Sequence, residues 1–432
     1  MFLHRENELE ILKKDFSIPN SSFNFIFGRR KIGKTSFINS YISDKNSFYV
    51  SFLEMMNLIT FQTIQKNIEN YLNKKVDTFD TFESFLKVIA KETFEEKLIL
   101  VLDDFQNLIK VEKDALSLFY KTWNKELSYS NIQVVILSSI CSSNKDDEYI
   151  YKKSSNIIKL DKLPYSSIKE LIPDVQAGDI MHIFSAYGTN PDYLKLYNPK
   201  KDFLLNIKEN FLSYDGVFFN EGMDFLKKDL NEISTYSSIL YAIALGNSKI
   251  GAIADFLNLK STYLTRYLQK LIDIMIIKKY VPINEDIKKS KFGRYEIEDN
   301  FMRFWFCYIY PNYSTLQKGD TSSVVNHIKE DFTKRLVQSS YKMHILSLIK
   351  NDPYKYLGFI PNNLGSWWNN KDTNIDIIAY DSKNIIFIDT KWRDTQELEQ
   401  SYAILKNKSD EFKTTLNKKY IIFSKISPTK TI

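Results

Sequence analysis

The chain has 432 residues, of which 44% are hydrophobic and 26% charged, with a net charge of +6. That length suits two to four domains with sizeable cores, and the mild basic excess is compatible with nucleic acid without requiring it. Two cysteines far apart in sequence, Cys141 and Cys307, exclude a disulfide framework or a zinc spacing; no apolar run approaches a membrane span, and the start at Met1-Phe2-Leu3 is no signal peptide, so a cytoplasmic protein without membrane contact is expected.

In chain order, residues 1–15 read as a helix with Leu9 and Leu12 inward. Phe23-Asn24-Phe25-Ile26-Phe27 reads as a buried strand, followed by Gly28-Arg29-Arg30-Lys31-Ile32-Gly33-Lys34-Thr35 and a helix from Ser36 to Ile42. Further strands are predicted at 48–52, 98–102 and 132–137, and helices near 60–73, 79–95 and 114–128. Strands alternating with helices imply a parallel α/β sheet, whose ligands sit at the carboxyl ends of the strands. From about 164 the pattern is helical, with a helix predicted over 204–230. A second unit covers 233–282. The tail reads as a helix over 324–350, strands at 357–360, 374–380 and 384–389, a helix over 395–406 and a strand over 419–424.

The segment Gly28–Thr35 satisfies G-x-x-x-x-G-K-[ST] between a strand and a helix, the context in which that pattern cradles phosphate. Glycines let backbone N–H groups close around an anion, and the helix that follows presents its positive end. The nucleotide-binding residues expected are Gly28, Arg29, Arg30, Lys31, Ile32, Gly33, Lys34, Thr35 and Ser36. Lys34 is predicted to reach the β- and γ-phosphates of ATP, and Thr35 to coordinate Mg²⁺. Asp103, at a strand end, is predicted to hold the Mg²⁺ shell, and Asp104 to orient the attacking water. Ser139, at the end of the next strand, is a candidate γ-phosphate sensor.

Taken together, these segments resemble the archaeal-type ATPase family, a branch of the STAND/AAA+ P-loop ATPases. The matching boxes are Phe2, Arg5, Glu8 and Leu9; Gly28 to Thr35; Asp103-Asp104-Phe105-Gln106; and Gly188-Thr189-Asn190-Pro191-Asp192-Tyr193-Leu194. Asp104 stands where the family has Glu, one methylene shorter. Lys152 or Lys153 stands where the family has a candidate arginine finger, and lysine lacks the planar bidentate contact. Both departures predict slow turnover with binding intact.

Residues 234–282 carry a winged-helix pattern: a helix from Thr235 to Leu245 ending at Gly246, a second over 249–257, a turn at 258–260, and a third over 262–273 capped by Ser261. Leu264, Leu268, Leu271 and Ile272 make its inner stripe, and Thr262, Thr265, Arg266, Gln269 and Lys270 its outer face. That outer face suits duplex DNA, and the same module also suits packing or docking a protein. Asp299-Asn300-Phe301-Met302-Arg303-Phe304-Trp305-Phe306 matches a further family box and reads as an aromatic packing helix, with base stacking as the alternative.

In the tail, Trp367-Trp368 precedes Asp376 on one strand and Asp389-Thr390-Lys391 on the next. Period-two spacing puts Asp389 and Lys391 on one face. Two carboxylates can hold a divalent metal, and a lysine can hold or activate water, so Asp376, Asp389 and Lys391 are candidate catalytic residues, with Asp376 and Asp389 as metal ligands. The tail resembles the PD-(D/E)xK nuclease-like domain that follows the ATPase in this family. Asn374 replaces the family's first acid, and Thr333 aligns where an upstream-helix Glu is expected, with Glu330 one turn earlier as a substitute.

The expected architecture is an α/β P-loop ATPase core (1–163), a helical lid (164–232), a winged helix with its aromatic linker helix (233–312), and a restriction-endonuclease-like α/β domain (320–432). The function expected is an ATP-binding and ATP-hydrolysing STAND-type switch that controls a DNA-directed nuclease-like domain. The alternative is a nucleotide-gated DNA-binding or protein-docking module without cleavage. Double-stranded DNA, a protein trigger and a second copy of the chain are the partners left open.

Overall fold

The computed structural model describes residues 4–52, 57–92, 94–139, 145–228, 230–371, 373–392, 398–425 and 430–431. Phe2 of the opening box and Cys141 lie outside the described residues. The chain divides into two units, Met1–Pro164 with Asp273–Met275, and Tyr165–Ile272 with Ile276–Ile432.

The first unit is built on five parallel strands: β1 (Ser22–Phe27), β2 (Ser47–Ser51), β3 (Leu98–Asp103), β4 (Ile132–Ser138) and β5 (Asn156–Lys159), in the order β2-β3-β4-β1-β5. Every residue of β1, β3 and β4 is buried, as expected of parallel strands covered by helices on both faces. Phe25, Phe82, Phe85 and Phe119 pack on one face, and Leu12, Phe37, Ile38 and Ile158 on the other. Edge strand β5 has no counterpart in the sequence reading. It has four residues, buries only Ile158 and leaves Ile157 exposed, which is too little apolar signal to see.

The second unit begins with short helices. The helix predicted over 204–230 is instead broken. Helix Phe203–Ile207 runs into a π turn at Lys208–Leu212, and helix Glu221–Lys227 follows only after a tight bend. Gly216 allows that bend, because a Cβ there would lie 2.6 Å from the Asn210 carbonyl oxygen. Next come helices Ile233–Ala244, Ile250–Leu257 and Ser261–Asp273, and an antiparallel hairpin of β6 (Ile277–Tyr280) and β7 (Arg294–Ile297).

The aromatic segment is core. Asp299 caps helix Asn300–Phe304, and Phe301, Met302, Phe304, Trp305 and Phe306 are fully buried, which removes the base-stacking alternative. Asn300 donates to the Phe184 carbonyl (2.7 Å). Arg303 donates to Ser339 Oγ (2.9 Å) and Ser340 Oγ (3.1 Å), joining the early helices to the long helix of the tail. Burial pushes the Cys307 thiol in this core up to about 12.

That long helix runs as Ser322–Phe332, a π turn Thr333–Val337, and Gln338–Asn351. The strand predicted at 357–360 is not one. Leu357 ends helix Pro353–Leu357, and Gly358 takes a left-handed φ of 78° that stops it. The sheet that follows contains β8 (Asn363–Trp368), β9 (Asn374–Tyr380), β10 (Ile385–Lys391), β11 (Lys418–Ser424) and β12 (Lys430–Thr431), in the order β12-β11-β10-β9-β8. β10 and β11 are parallel, with helix Leu398–Ser409 between them in sequence; the other pairs are antiparallel. The hairpin loop reaches this sheet. Ile283 N–H donates to the Ser366 carbonyl (2.9 Å), Trp368 Nε1 donates to the Phe292 carbonyl (3.0 Å), and the Arg294 guanidinium lies 4.5 Å above the Trp368 ring.

Candidate functional site

Strand β1 delivers the chain to Gly28, whose amide still donates to the Ser138 carbonyl of β4 (3.3 Å). A Cβ at Gly28 would lie 2.8 Å from Ile32 Cγ2 and 2.9 Å from the Leu160 carbonyl oxygen, so only glycine fits. Gly33 has φ +91° and caps helix Lys34–Ile42, the turn that lets the loop close on the helix N-terminus. Lys34 is buried, and its ammonium donates to the loop's own carbonyls, Gly28 (2.7 Å) and Arg29 (3.2 Å). Arg29 is buried, Arg30, Ile32 and Gly33 are half-buried, and Lys31, Thr35 and Ser36 are exposed.

The sheet order places β4 between β1 and β3, so the ends of all three strands meet. Asp103 is buried there. Its Oδ2 accepts from Thr35 Oγ1 (2.8 Å) and from the Tyr49 hydroxyl, and its Oδ1 accepts from the Asp104 amide (2.7 Å). Burial, then the bond to Asp103, raises the Tyr49 hydroxyl well above its usual range, so it remains a donor. Asp104 adopts a left-handed φ of 54° at the start of helix Phe105–Val111. Gln106, named in the sequence only as part of a box, is a site residue that reading missed. Its amide donates to Asp104 Oδ1 (2.8 Å) and accepts from the Ser139 amide (3.0 Å), tying Asp104 to the end of β4. Its position two residues after Asp104 was the available signal.

The donor set suits a Mg-nucleotide. Ser139 Oγ is buried and has no hydrogen-bond partner among the described residues. One hydroxyl and one carboxylate, rather than a cage, is the small protein contribution Mg²⁺ takes when phosphates and water complete its shell. Among the described residues no group of three or more His, Cys, Asp or Glu could hold a metal. Lys152 pairs with Glu148 one turn earlier (2.8 Å), and the Lys153 ammonium lies 5.5 Å from the Tyr149 ring.

On helix Ser261–Asp273, Thr262, Thr265, Arg266 and Gln269 are exposed, whereas Lys270 is half-buried. The inner stripe is Leu264, Tyr267, Leu268 and Leu271; Ile272, predicted inward, is only half-buried, and Tyr267 takes the inner place. Arg266 is held by its own helix, donating to the Tyr267 hydroxyl (2.6 Å), 3.7 Å from Glu232.

In the terminal sheet, Asp376, Asp389 and Lys391 come together as the strand spacing predicts. Lys391 Nζ lies 2.9 Å from Asp389 Oδ2. Asp376 Oδ2 accepts from the Thr390 amide (3.0 Å) and hydroxyl (2.6 Å), and Asp389 Oδ1 accepts from the same amide (3.1 Å). Burial and the neighbouring Asp376 push Asp389 up. Burial works against the Asp376 charge too, but Lys342 and Thr390 outweigh it and hold its carboxyl below the usual range. Glu330 is exposed. The long helix reaches the site through other residues: Gln338 donates to the Thr390 carbonyl (2.6 Å) and accepts from the Trp392 amide (2.9 Å), and Lys342 sits one turn on. The sequence reading missed both, since no spacing links a helix to a strand some fifty residues later.

Residues 2–196 match a family described as an ATPase domain predominantly from Archaea, and residues 305–403 one described as archaeal and bacterial proteins of unknown function. An uncharacterised protein of Methanocaldococcus jannaschii is 31% identical over 414 residues, covering 92% of this chain and 89% of its own. A Walker-type ATPase of Pyrococcus abyssi superposes with a TM-score of 0.50 at 16% identity, over 71% of this chain and 96% of that one. A second uncharacterised M. jannaschii protein is 31% identical over 75 residues, 17% of this chain and 69% of its own. No helix among the described residues is long and apolar enough to cross a membrane.

Proposed function

Because the chain belongs to one family with an uncharacterised M. jannaschii protein, and its residues 2–196 match an archaeal ATPase domain, we propose that it is a STAND-type switch in which Mg-ATP at the Gly28–Thr35 loop controls a DNA-directed, nuclease-like terminal domain. The observation that carries the reading is the Thr35–Asp103 bond, which joins the phosphate loop to the acidic strand end. The loop amides and helix N-terminus bind the phosphates. Lys34 exchanges the Gly28 and Arg29 carbonyls for phosphate oxygens. Thr35 and Asp103 would hold Mg²⁺, which would supply positive charge to the phosphates. Asp104 orients the attacking water, and Gln106, bonded to Asp104 Oδ1 and to the Ser139 amide, holds that acid to the end of β4. The short reach of Asp104 supports slow turnover.

The hairpin after helix Ser261–Asp273 supports a winged helix at 233–297, with duplex DNA or a protein trigger on its exposed face. The strand–helix–strand crossover from β10 to β11, with Asp376, Asp389 and Lys391 at its edge, supports the nuclease-like reading of the tail. A second reading, nucleotide-gated binding without cleavage, is favoured by one observation: helix Gln338–Asn351 sends Lys342 towards Asp376 and Gln338 to the Thr390 and Trp392 backbone, and its sequence contains no carboxylate.

The test is Mg-ATP hydrolysis by wild type and Lys34→Ala with and without duplex DNA, followed by Mg²⁺- or Mn²⁺-dependent nicking by wild type and Asp389→Ala. DNA-stimulated turnover lost in Lys34→Ala, with nicking lost in Asp389→Ala, sustains the switch. DNA-stimulated turnover without nicking favours the second reading. Nicking that survives Asp389→Ala removes the Asp376–Asp389–Lys391 site. Absence of nucleotide binding by the wild type overturns both readings.

A further inference from the structure

Asp103 Oδ2 accepts two hydroxyls from opposite sides. Thr35 comes from the phosphate loop. Tyr49 comes from β2, the edge strand on the other side of β3. Tyr49 pairs with Val101, two residues short of Asp103, and Ser51 pairs with Asp103 itself. The Tyr49 ring packs against the apolar layer that includes Phe37, Ile99 and Val101. The half-buried ring, packed on that layer along one side, has restricted rotation, which keeps its hydroxyl at Asp103. The Asp104 amide on Oδ1 supplies a second fixed point. A carboxylate bonded at both oxygens cannot turn about its Cβ–Cγ bond without breaking one of them.

Resting on the reading that Asp103 carries the Mg²⁺ shell, we infer that Tyr49 is a positioning residue of the metal site, its hydroxyl holding the Asp103 carboxylate at the rotation in which it serves the metal. Thr35 cannot do this alone, because its hydroxyl oxygen must also face the metal. Partners that orient a metal-binding carboxylate are typically worth about ten- to a hundredfold in metal affinity or activity. Tyr49→Phe removes the hydroxyl and keeps the ring, so the packing stays.

The experiment is a fluorescent-nucleotide titration of the full chain at increasing Mg²⁺, with the Mn²⁺-loaded complex followed by electron paramagnetic resonance. For Tyr49→Phe the Mg²⁺ midpoint should rise about tenfold and the Mn²⁺ spectrum should change. Nucleotide binding in EDTA and the melting temperature should stay at wild-type values, which a merely structural role would not leave unmoved. A midpoint within about twofold of wild type, against the tenfold expected, overturns the inference. Asp103→Asn separates the two levels. If it shifts the midpoint and Tyr49→Phe does not, only the role of Tyr49 falls. If neither shifts it, the reading of Asp103 falls with it.

Discussion

The glycine loop of the first unit sets Thr35 on Asp103 at a strand end, and the terminal sheet sets Lys391 beside Asp389 at another, but the two are put together over different lengths of chain. Lys34 and its loop fall within eight residues, and Asp103 enters from a strand that the sheet order brings alongside. The terminal site also takes Gln338 and Lys342 from a helix, and that helix is in turn tied to Arg303. The first site is therefore dictated by local backbone geometry. The second depends on how a helix is seated against a sheet, and its chemistry should respond to changes that leave its acids untouched.

The largest effect expected tests whether the two sites are separable. Lys34→Ala should lower ATP turnover by at least about a hundredfold, because under the proposed function it removes the cation that meets the transferred phosphate. Asp389→Ala should leave turnover within about twofold, on the same ground that its carboxylate is no part of phosphoryl transfer. Phosphate release measures both, and an equal loss in both variants would end the contrast.

Next comes the seating of the long helix. His344, against the Tyr165 ring (4.1 Å), is held by burial down to about 4 from 6.5. Between those values an unfolded chain takes up a proton that the folded chain refuses. The stabilisation is thus complete above pH 6.5 and lost as pH falls towards 4, by up to about 3 kcal/mol. Denaturation midpoints from pH 7 to 4.5 should fall for wild type and flatten for His344→Gln.

Gly28→Ala should destabilise the first unit by about 1–3 kcal/mol through overpacking against Ile32 and Leu160, read by the unfolding midpoint without nucleotide. The smallest effect belongs to Gln338→Ala, about 1–2 kcal/mol from the unmet Thr390 and Trp392 backbone groups. Hydrogen exchange at the Trp392 amide should quicken, and any nicking activity should drop with Asp376, Asp389 and Lys391 all in place.

This contrast also marks what the sequence made readable. Gly28, Lys34 and Thr35 were legible because a phosphate loop needs its residues at fixed intervals. Asp389 and Lys391 were legible because a strand has a period of two. Edge strand β5 was not, since it buries a single residue, and neither was the bend at Gly216, since a close backbone approach to Asn210 leaves no periodic pattern. Tyr49, Gln106, Gln338 and Lys342 look ordinary in sequence, and their roles exist only where strands or a helix converge. Tyr267 displaced Ile272 from the inner stripe because its hydroxyl could bond Glu232 while its ring stayed buried.

The hairpin loop's hold on β8 bears on how this protein can be taken apart. A fragment starting at residue 320 would keep Trp368 but lose the Phe292 carbonyl that receives its indole N–H and the Arg294 guanidinium that covers its face. It would also expose the Ser366 carbonyl and the apolar surface that Ile283 covers. The terminal sheet is thus poorly suited to expression alone or to grafting onto another ATPase. A fragment that begins at Tyr165, where the second unit begins, carries the hairpin together with the Phe184 carbonyl that receives Asn300 and the Phe218 carbonyl that receives the Trp305 indole, and is the smaller piece expected to stay folded.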